Sequence, residues 1–225
     1  MSAAIYQASV WILPVLIAIT FHEAAHGYVA WRLGDNTAKD LGRVTFSPIR
    51  HVDPLGSIVV PGILLLSPAQ FLFGWAKPVP VNFMNLGHPR RDMVLVAAAG
   101  PGVNLLLAVV SAILLHLVPV FPGETAKWIS QNLGNSILIN LVLAVFNMLP
   151  LPPLDGGRVA VGLLPAPLAI QLARLERVGL LIVILALFVV PIVGREFGYK
   201  WDLLTLLIGG PVDTLFRFVM TITGH

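Results

Sequence analysis

Two histidines four residues apart, His22 and His26, flank Glu23 in the run Phe21-His22-Glu23-Ala24-Ala25-His26-Gly27. On a helix this spacing stacks both imidazoles on one face, where they can hold one metal ion. Glu23 stands about 100° round the helix from His22. It is then close to the metal without being an obvious ligand, the place for a general base acting on a metal-activated water. The pattern closes an apolar run that begins near Ala8 and contains Val10, Trp11, Ile12, Leu13, Val15, Leu16, Ile17 and Ile19. Each ionisable group costs roughly 2.5–3.5 kcal/mol at a bilayer centre, so three of them at the end of such a run argue for a use. The competing reading is a helix end that emerges into the headgroups with His and Glu solvated there.

A second stretch with chemical content is Phe146-Asn147-Met148-Leu149-Pro150-Leu151-Pro152-Pro153-Leu154-Asp155-Gly156-Gly157-Arg158. Its prolines and glycines unwind the backbone at a membrane face, which is tolerated only against protein or a wet cavity. Asp155 is the candidate third metal ligand, because a catalytic zinc takes three protein ligands and keeps a fourth position for water. An ordinary turn aspartate before Gly-Gly is the alternative. Asn147 is either a helix-end residue or a donor to a substrate carbonyl or developing oxyanion.

The elements that carry these residues follow from composition. Of 225 residues, 57% are hydrophobic and 11% charged, and mean hydropathy is +0.87. Soluble domains average about 25% charged residues. The expectation is an all-α polytopic membrane protein forming one membrane-embedded domain over 1–225, which excludes a soluble metalloprotease. The net charge of +3 and pI near 9.6 read as loop charges that set orientation, not as a nucleic-acid surface. The absence of cysteine excludes a disulfide framework, a thiolate metal site and a cysteine nucleophile. Residues 1–10 carry no Lys or Arg, which argues against a signal peptide.

Five transmembrane helices are predicted, over about 7–32, 93–118, 133–149, 178–193 and 203–221. Residues 119–130 read as an outer loop and 159–177 as a cytoplasmic connection. Arg32, Lys39, Arg43 and Arg50 place the end of the first helix in the cytoplasm. Residues 42–47 and 76–82 read as a small β-hairpin at the membrane surface, although Pro78 and Pro80 limit its pairing. The interrupted run 56–74 contains Pro61, Gly62 and Pro68. It must be re-entrant or interfacial, because only then do His22, His26 and Asp155 share one side of the membrane. Gly100-Pro101-Gly102-Val103-Asn104 offers small residues for close helix packing, and Asn104 can bond across helices. His51 and His88 read as solvated or interfacial loop residues, and Trp11, Trp31, Trp75, Trp128 and Trp201 as interfacial anchors.

Together, His22-Glu23-Ala24-Ala25-His26, Gly100-Pro101-Gly102-Val103-Asn104 and Asn147-x-x-Pro150-x-Pro152-x-x-Asp155-Gly156 resemble the site-2 protease family of intramembrane zinc metalloproteases. Gly42-Arg43-Val44-Thr45-Phe46 and Gly74-Trp75-Ala76-Lys77-Pro78-Val79-Pro80-Val81 resemble its compact bacterial branch, without PDZ or CBS domains. The match covers about residues 15–160. The resemblance implies one Zn2+ per chain on His22, His26 and Asp155, with Glu23 as general base and then proton donor to the leaving amine. Asn147 would hold the substrate or oxyanion, and Asn104 would be a packing or substrate contact. An edge of the 76–82 segment, at Val79 and Val81, would capture an unwound substrate by strand addition.

The implied partners are a membrane-protein substrate segment and the lipid bilayer, with no nucleic acid. Monomer and homodimer both stay open. The implied location is the cell (inner) membrane, multi-pass, with the active site towards the cytoplasm. The catalytic core would be about 7–160, and the helices at about 178–221 accessory. An inactive scaffold of the same fold is the rival reading, against which Glu23 stands. A metal transporter is a further one, against which the absence of an internal repeat stands.

Overall fold

The computed structural model describes residues 3–59, 76–190, 193–194, 197–198 and 205–225. Eight α-helices are used below: α1 (Ala3–Arg32), α2 (Thr37–Asp40), α3 (Pro89–Leu115), α4 (Gly123–Asn147), α5 (Asp155–Leu163), α6 (Ala166–Arg174), α7 (Gly179–Ile184) and α8 (Gly210–Ile222). By length and composition four stretches can cross a bilayer: Ile5–Arg32, Pro89–Val120, Gly123–Asn147 and Thr205–Ile222. Their outward faces are apolar, with Ile12, Leu13, Leu106 and Ile113 exposed. That is the pattern of helices whose solvent is lipid.

α1 ends where its sequence dictates. Gly34 takes a φ of 114°, and Asp35 N–H and Gly34 N–H return to the carbonyls of Ala30 and Trp31. This paired return is a Schellman motif, and only glycine reaches its left-handed position without a Cβ penalty. α3 starts on Pro89, whose missing N–H would be unpartnered there in any case, and Asp92 Oδ2 accepts the N–H of His88 at 2.7 Å. The core lies between α3, α4 and the C-terminal helix, around Ala108, Ala112, Ile137, Leu141 and Val212. α1 packs on α3 and α4, and α5 packs on α3.

Several expectations are corrected. Neither 42–47 nor 76–82 forms a strand, so no β-hairpin exists among the described residues. The two stretches meet instead through Arg43 Nη2, which donates to Lys77 O at 2.7 Å and Pro78 O at 3.4 Å. Prolines at 78 and 80 remove alternate ladder donors, and a buried guanidinium takes the place of the missing ladder. α4 begins ten residues earlier than the predicted 133, at Gly123, because Glu124 to Gln131 contains no helix breaker after Pro122. The connection 159–177 consists mostly of helices α5 and α6. His51 is buried, not solvated; Thr45 O lies 2.9 Å from its Nε2, and its carbonyl accepts Lys77 N–H. Of the predicted helix 178–193, α7 and the π-helical turn Leu185–Val189 are described. The re-entrant reading of 56–74 falls mainly on 60–75, which lies outside the described residues, as do Trp75 and Trp201.

Candidate metal centre

The centre is built from α1, α3 and the turn before α5. His22 to His26 lie six to ten residues before the end of α1 at Arg32, so they sit roughly 9–15 Å inside that end. Both imidazoles are buried, and their Nε2 atoms are 3.1 Å apart. Asp155 Oδ2 is 3.2 Å from His22 Nε2 and 3.3 Å from His26 Nε2. Ligands at tetrahedral zinc-type distances of about 2.0–2.2 Å stand about 3.3–3.6 Å from one another, so this triangle needs almost no adjustment to hold such an ion. Asp155 Oδ2 is buried without a well-directed hydrogen bond, and such an orphan carboxylate oxygen facing two imidazole nitrogens is relieved by a shared cation. The donor set therefore fits a divalent metal by chemistry, distance and charge.

The other ring nitrogens decide which tautomer faces the triangle. His22 Nδ1 is 2.5 Å from Asn104 Oδ1, and His26 Nδ1 is 2.7 Å from Val96 O. Both partners accept, so each Nδ1 donates and each Nε2 keeps its lone pair for a ligand role. Asn104 cannot turn over, because its Nδ2 donates to Asn140 Oδ1 at 2.7 Å and to Ala18 O at 3.3 Å. Asn140 in turn donates to Ser136 O at 2.8 Å, and the Ser136 and Ser111 hydroxyls are 2.8 Å apart. Asn104 and Asn140 are 0% exposed. This polar chain ties α1, α3 and α4 together behind His22. Such a chain orients the ligand only while every member is satisfied.

Glycines let the backbone come close. A Cβ on Gly100 would stand 2.5 Å from His26 Nε2 and 2.6 Å from His22 Nε2. At Gly156 and Gly157 it would meet Met148 O at 2.2 Å and Pro152 N at 2.1 Å. The Gly-Gly pair thus folds the proline turn back on itself and delivers Asp155 to the histidines.

Glu23 points to the extended 76–82 segment, and its Oε2 accepts the Val79 N–H at 2.8 Å. The Val79 side chain packs on Gly27 beside Val44. The far end of the segment is held by Asp35, which is fully buried after α1. Its carboxylate accepts Asn82 N–H at 2.7 Å, Asn85 Nδ2 at 3.0 Å, and Thr37 N–H at 3.1 Å with the Thr37 hydroxyl at 2.5 Å. Burial raises the Asp35 carboxyl, but these donors together prevail and lower it below its ordinary value. A carboxyl lowered by folding contributes stability that is present above its unfolded pKa of about 3.9 and is lost as pH falls through the folded value. Asp35→Asn should therefore cost about 1–2 kcal/mol at pH 7. Thermal unfolding in detergent should show the full deficit at pH 7 and a narrowing of it only as pH falls below the ordinary carboxylate value; a deficit that widens on acidification would contradict it.

Of the predicted site residues, the fold unites His22, His26 and Asp155, and sets Glu23 beside them on α1. Asn147 is half-buried at the end of α4, where its Nδ2 donates to Leu143 O at 3.0 Å. Asn104, expected as a packing or substrate contact, has its amide engaged by His22, Asn140 and Ala18. The Val79 side chain is buried and Val81 is half-buried. Sequence reasoning missed Gly100 as a ring contact, Asn140 and Asp35. Asn140 alone carried a signal, as an amide in the middle of an apolar helix.

The sequence model of peptidase family M50 matches residues 116–190, the part that contains Asn147 and Asp155. The chain is 42% identical over 185 residues to the candidate zinc metalloprotease YwhC of Bacillus subtilis (strain 168), covering 80% of each chain. It is 29% identical over 184 residues to Rip2 of Mycolicibacterium smegmatis, also named a candidate zinc metalloprotease, covering 81% of this chain and 67% of Rip2. A shorter match of 64 residues at 45% identity, 28% of this chain and 31% of the relative, links it to MJ0611 of Methanocaldococcus jannaschii, which bears the same kind of name. No solved structure matches the chain at a significant level.

Proposed function

Because the chain belongs to peptidase family M50, the site-2 proteases, we propose that it is an intramembrane zinc endopeptidase cutting transmembrane or membrane-proximal segments of other proteins. The single observation that carries this reading is the buried triangle of His22, His26 and Asp155 with Glu23 beside it. His22 Nε2, His26 Nε2 and Asp155 Oδ2 would hold the zinc, which when bound supplies a Lewis acid that acidifies water and polarises a carbonyl.

The chain's own residues do the rest. The Val79 N–H fixes Glu23 Oε2, which leaves Oε1 to take a proton from the attacking water. The new bond joins water oxygen to the peptide carbon, the C–N bond breaks, and Glu23 returns the proton to the leaving nitrogen. Asn147 is assigned to the substrate carbonyl or oxyanion, for which its Nδ2 must leave Leu143 O. Asn104 serves the substrate through His22, whose tautomer it sets.

Substrate must unwind before its carbonyls are exposed. Val79 and Val81 are assigned to its capture by backbone pairing. The N–H groups of Lys77, Val79 and Asn82 are already taken; among the described residues the Val81 N–H and the carbonyls of Val79 to Val81 have no partner and are assigned to that role. A cytoplasmic orientation is favoured by Arg32, Lys39, Arg50, Lys77, Arg90 and Arg91 at the end nearest the centre. The opposite end carries Lys127 between α3 and mid-α4, near Glu124.

Metal analysis of the detergent-purified chain tests it. Wild type should hold about one zinc per chain, and His22→Ala and Asp155→Ala should lose it. Absence of metal in folded wild type after added zinc would overturn the proposal, and so would unchanged zinc in both variants.

A further inference from the structure

Away from the metal centre, an open groove of about 560 Å³ lies between the start of α3 and the end of α5. Its polar end is Arg90 and Arg91, in the first turn of α3. Its floor and sides are apolar, with Val94, Leu95, Leu163 and Pro165. Gly162 makes the groove by letting α5 sit directly on α3; a Cβ there would stand 2.3 Å from Val94 Cγ2.

The two ends differ in depth. Arg90 and Leu95 are five residues apart on one helix, so the charges lie roughly 7–8 Å above the apolar floor. α3 is a membrane-spanning candidate from Pro89 onward, which puts the arginines at headgroup level and the floor at the top of the acyl chains. Leu95 is 45% and Leu163 70% exposed, so the floor is open to lipid.

Neither arginine forms an ion pair among the described residues. Arg90 Nη2 donates to the Leu164 carbonyl, which steers the guanidinium over the groove without neutralising it. Arg91 has no acidic partner among the described residues. The nearest acid in sequence, Asp92, is buried and turned to the His88 N–H, so it pairs with neither arginine. On α6 and the turn after it, Glu176 is paired with Arg158 at 3.4 Å. Two cations over an apolar slot, with no acid paired to either among the described residues, complement one kind of occupant: a phosphate carrying an alkyl chain.

We propose that this groove binds an anionic phospholipid of the surrounding bilayer, its phosphate between Arg90 and Arg91 and an acyl chain along Val94, Leu95 and Leu163. The site is separate from the metal triangle, none of whose residues lines the groove. Its place on α3, the helix that carries Gly100 and Asn104, makes lipid occupancy a restraint on the helix that positions both histidines.

The test is lipid-dependent thermal stabilisation of the full chain in uncharged detergent. Phosphatidylglycerol and phosphatidylcholine of identical chains, and inorganic phosphate, are titrated separately. A basic residue near a membrane surface is worth about a factor of five in anionic-lipid affinity. Wild type should show saturable stabilisation by phosphatidylglycerol only. Arg91→Gln, at an exposed residue with no side-chain hydrogen bond or ion pair among the described residues, should need about fivefold more lipid, and Arg90→Gln/Arg91→Gln about 25-fold more. Lys127→Gln, near the opposite end of the bundle, should titrate as wild type. Equal stabilisation by the zwitterionic lipid or by phosphate alone, or an unshifted Arg91→Gln curve, would overturn the proposal.

Discussion

Glu23→Gln should reduce cleavage of a membrane substrate by roughly 10²–10⁴-fold, the usual contribution of a positioned general base, while zinc content stays at the wild-type level. The substitution keeps the shape and the acceptor for Val79 N–H, which now bonds Glu23 Oε2 at 2.8 Å. It removes the ability to take a proton. Glu23 is not among the three residues whose ligand atoms form the triangle, so metal binding has no reason to change. The two readouts separate the roles: lost activity with retained zinc assigns the base, whereas lost zinc would make Glu23 a ligand. Wild-type cleavage by the variant would remove it from the chemistry.

The second large effect comes from a residue with no chemistry of its own. Gly100→Ala puts a methyl group 2.5 Å from His26 Nε2 and 2.6 Å from both Cε1 and Nε2 of His22. Nothing at that distance can be relieved by one side chain, because both rings are buried and pinned by Asn104 and Val96. Either the rings turn away from Asp155 or α3 shifts outward. Both break the triangle, and zinc affinity should fall at least as far as on loss of an orienting partner, about 100-fold. Gly102→Ala is the control. A Cβ there meets nothing within 4 Å, and alanine in a helix interior is favoured over glycine by about 1 kcal/mol. Gly102→Ala should keep zinc and melt no lower than wild type. A competition titration with a zinc chelator on both variants measures the difference. Equal affinities would mean that close approach at Gly100 is not what seats the rings.

Much of the centre was legible from local pattern. The helix period alone puts His22 and His26 on one face, and the proline and glycine run around Asp155 announces unwound backbone. Hydropathy announces helices in lipid, and the four long apolar helices follow it. The hairpin failed because alternation and turn residues predict an extended chain but cannot say what pairs with it. Lys77 O and Pro78 O turned to a guanidinium and Val79 N–H to Glu23.

What the tertiary structure decided is every contact that makes three ligands into a site. Asn104 meets His22 across 82 residues, Val79 meets Glu23 across 56 and Asn82 meets Asp35 across 47. No local period encodes such pairs. They exist because buried polar groups must find partners wherever packing brings them, and in lipid there is little water to stand in. The residue types set what chemistry was available. The close approach of α3 at Gly100 and the polar chain through Asn104 and Asn140 determined which nitrogen of each histidine faces the Asp155 carboxylate.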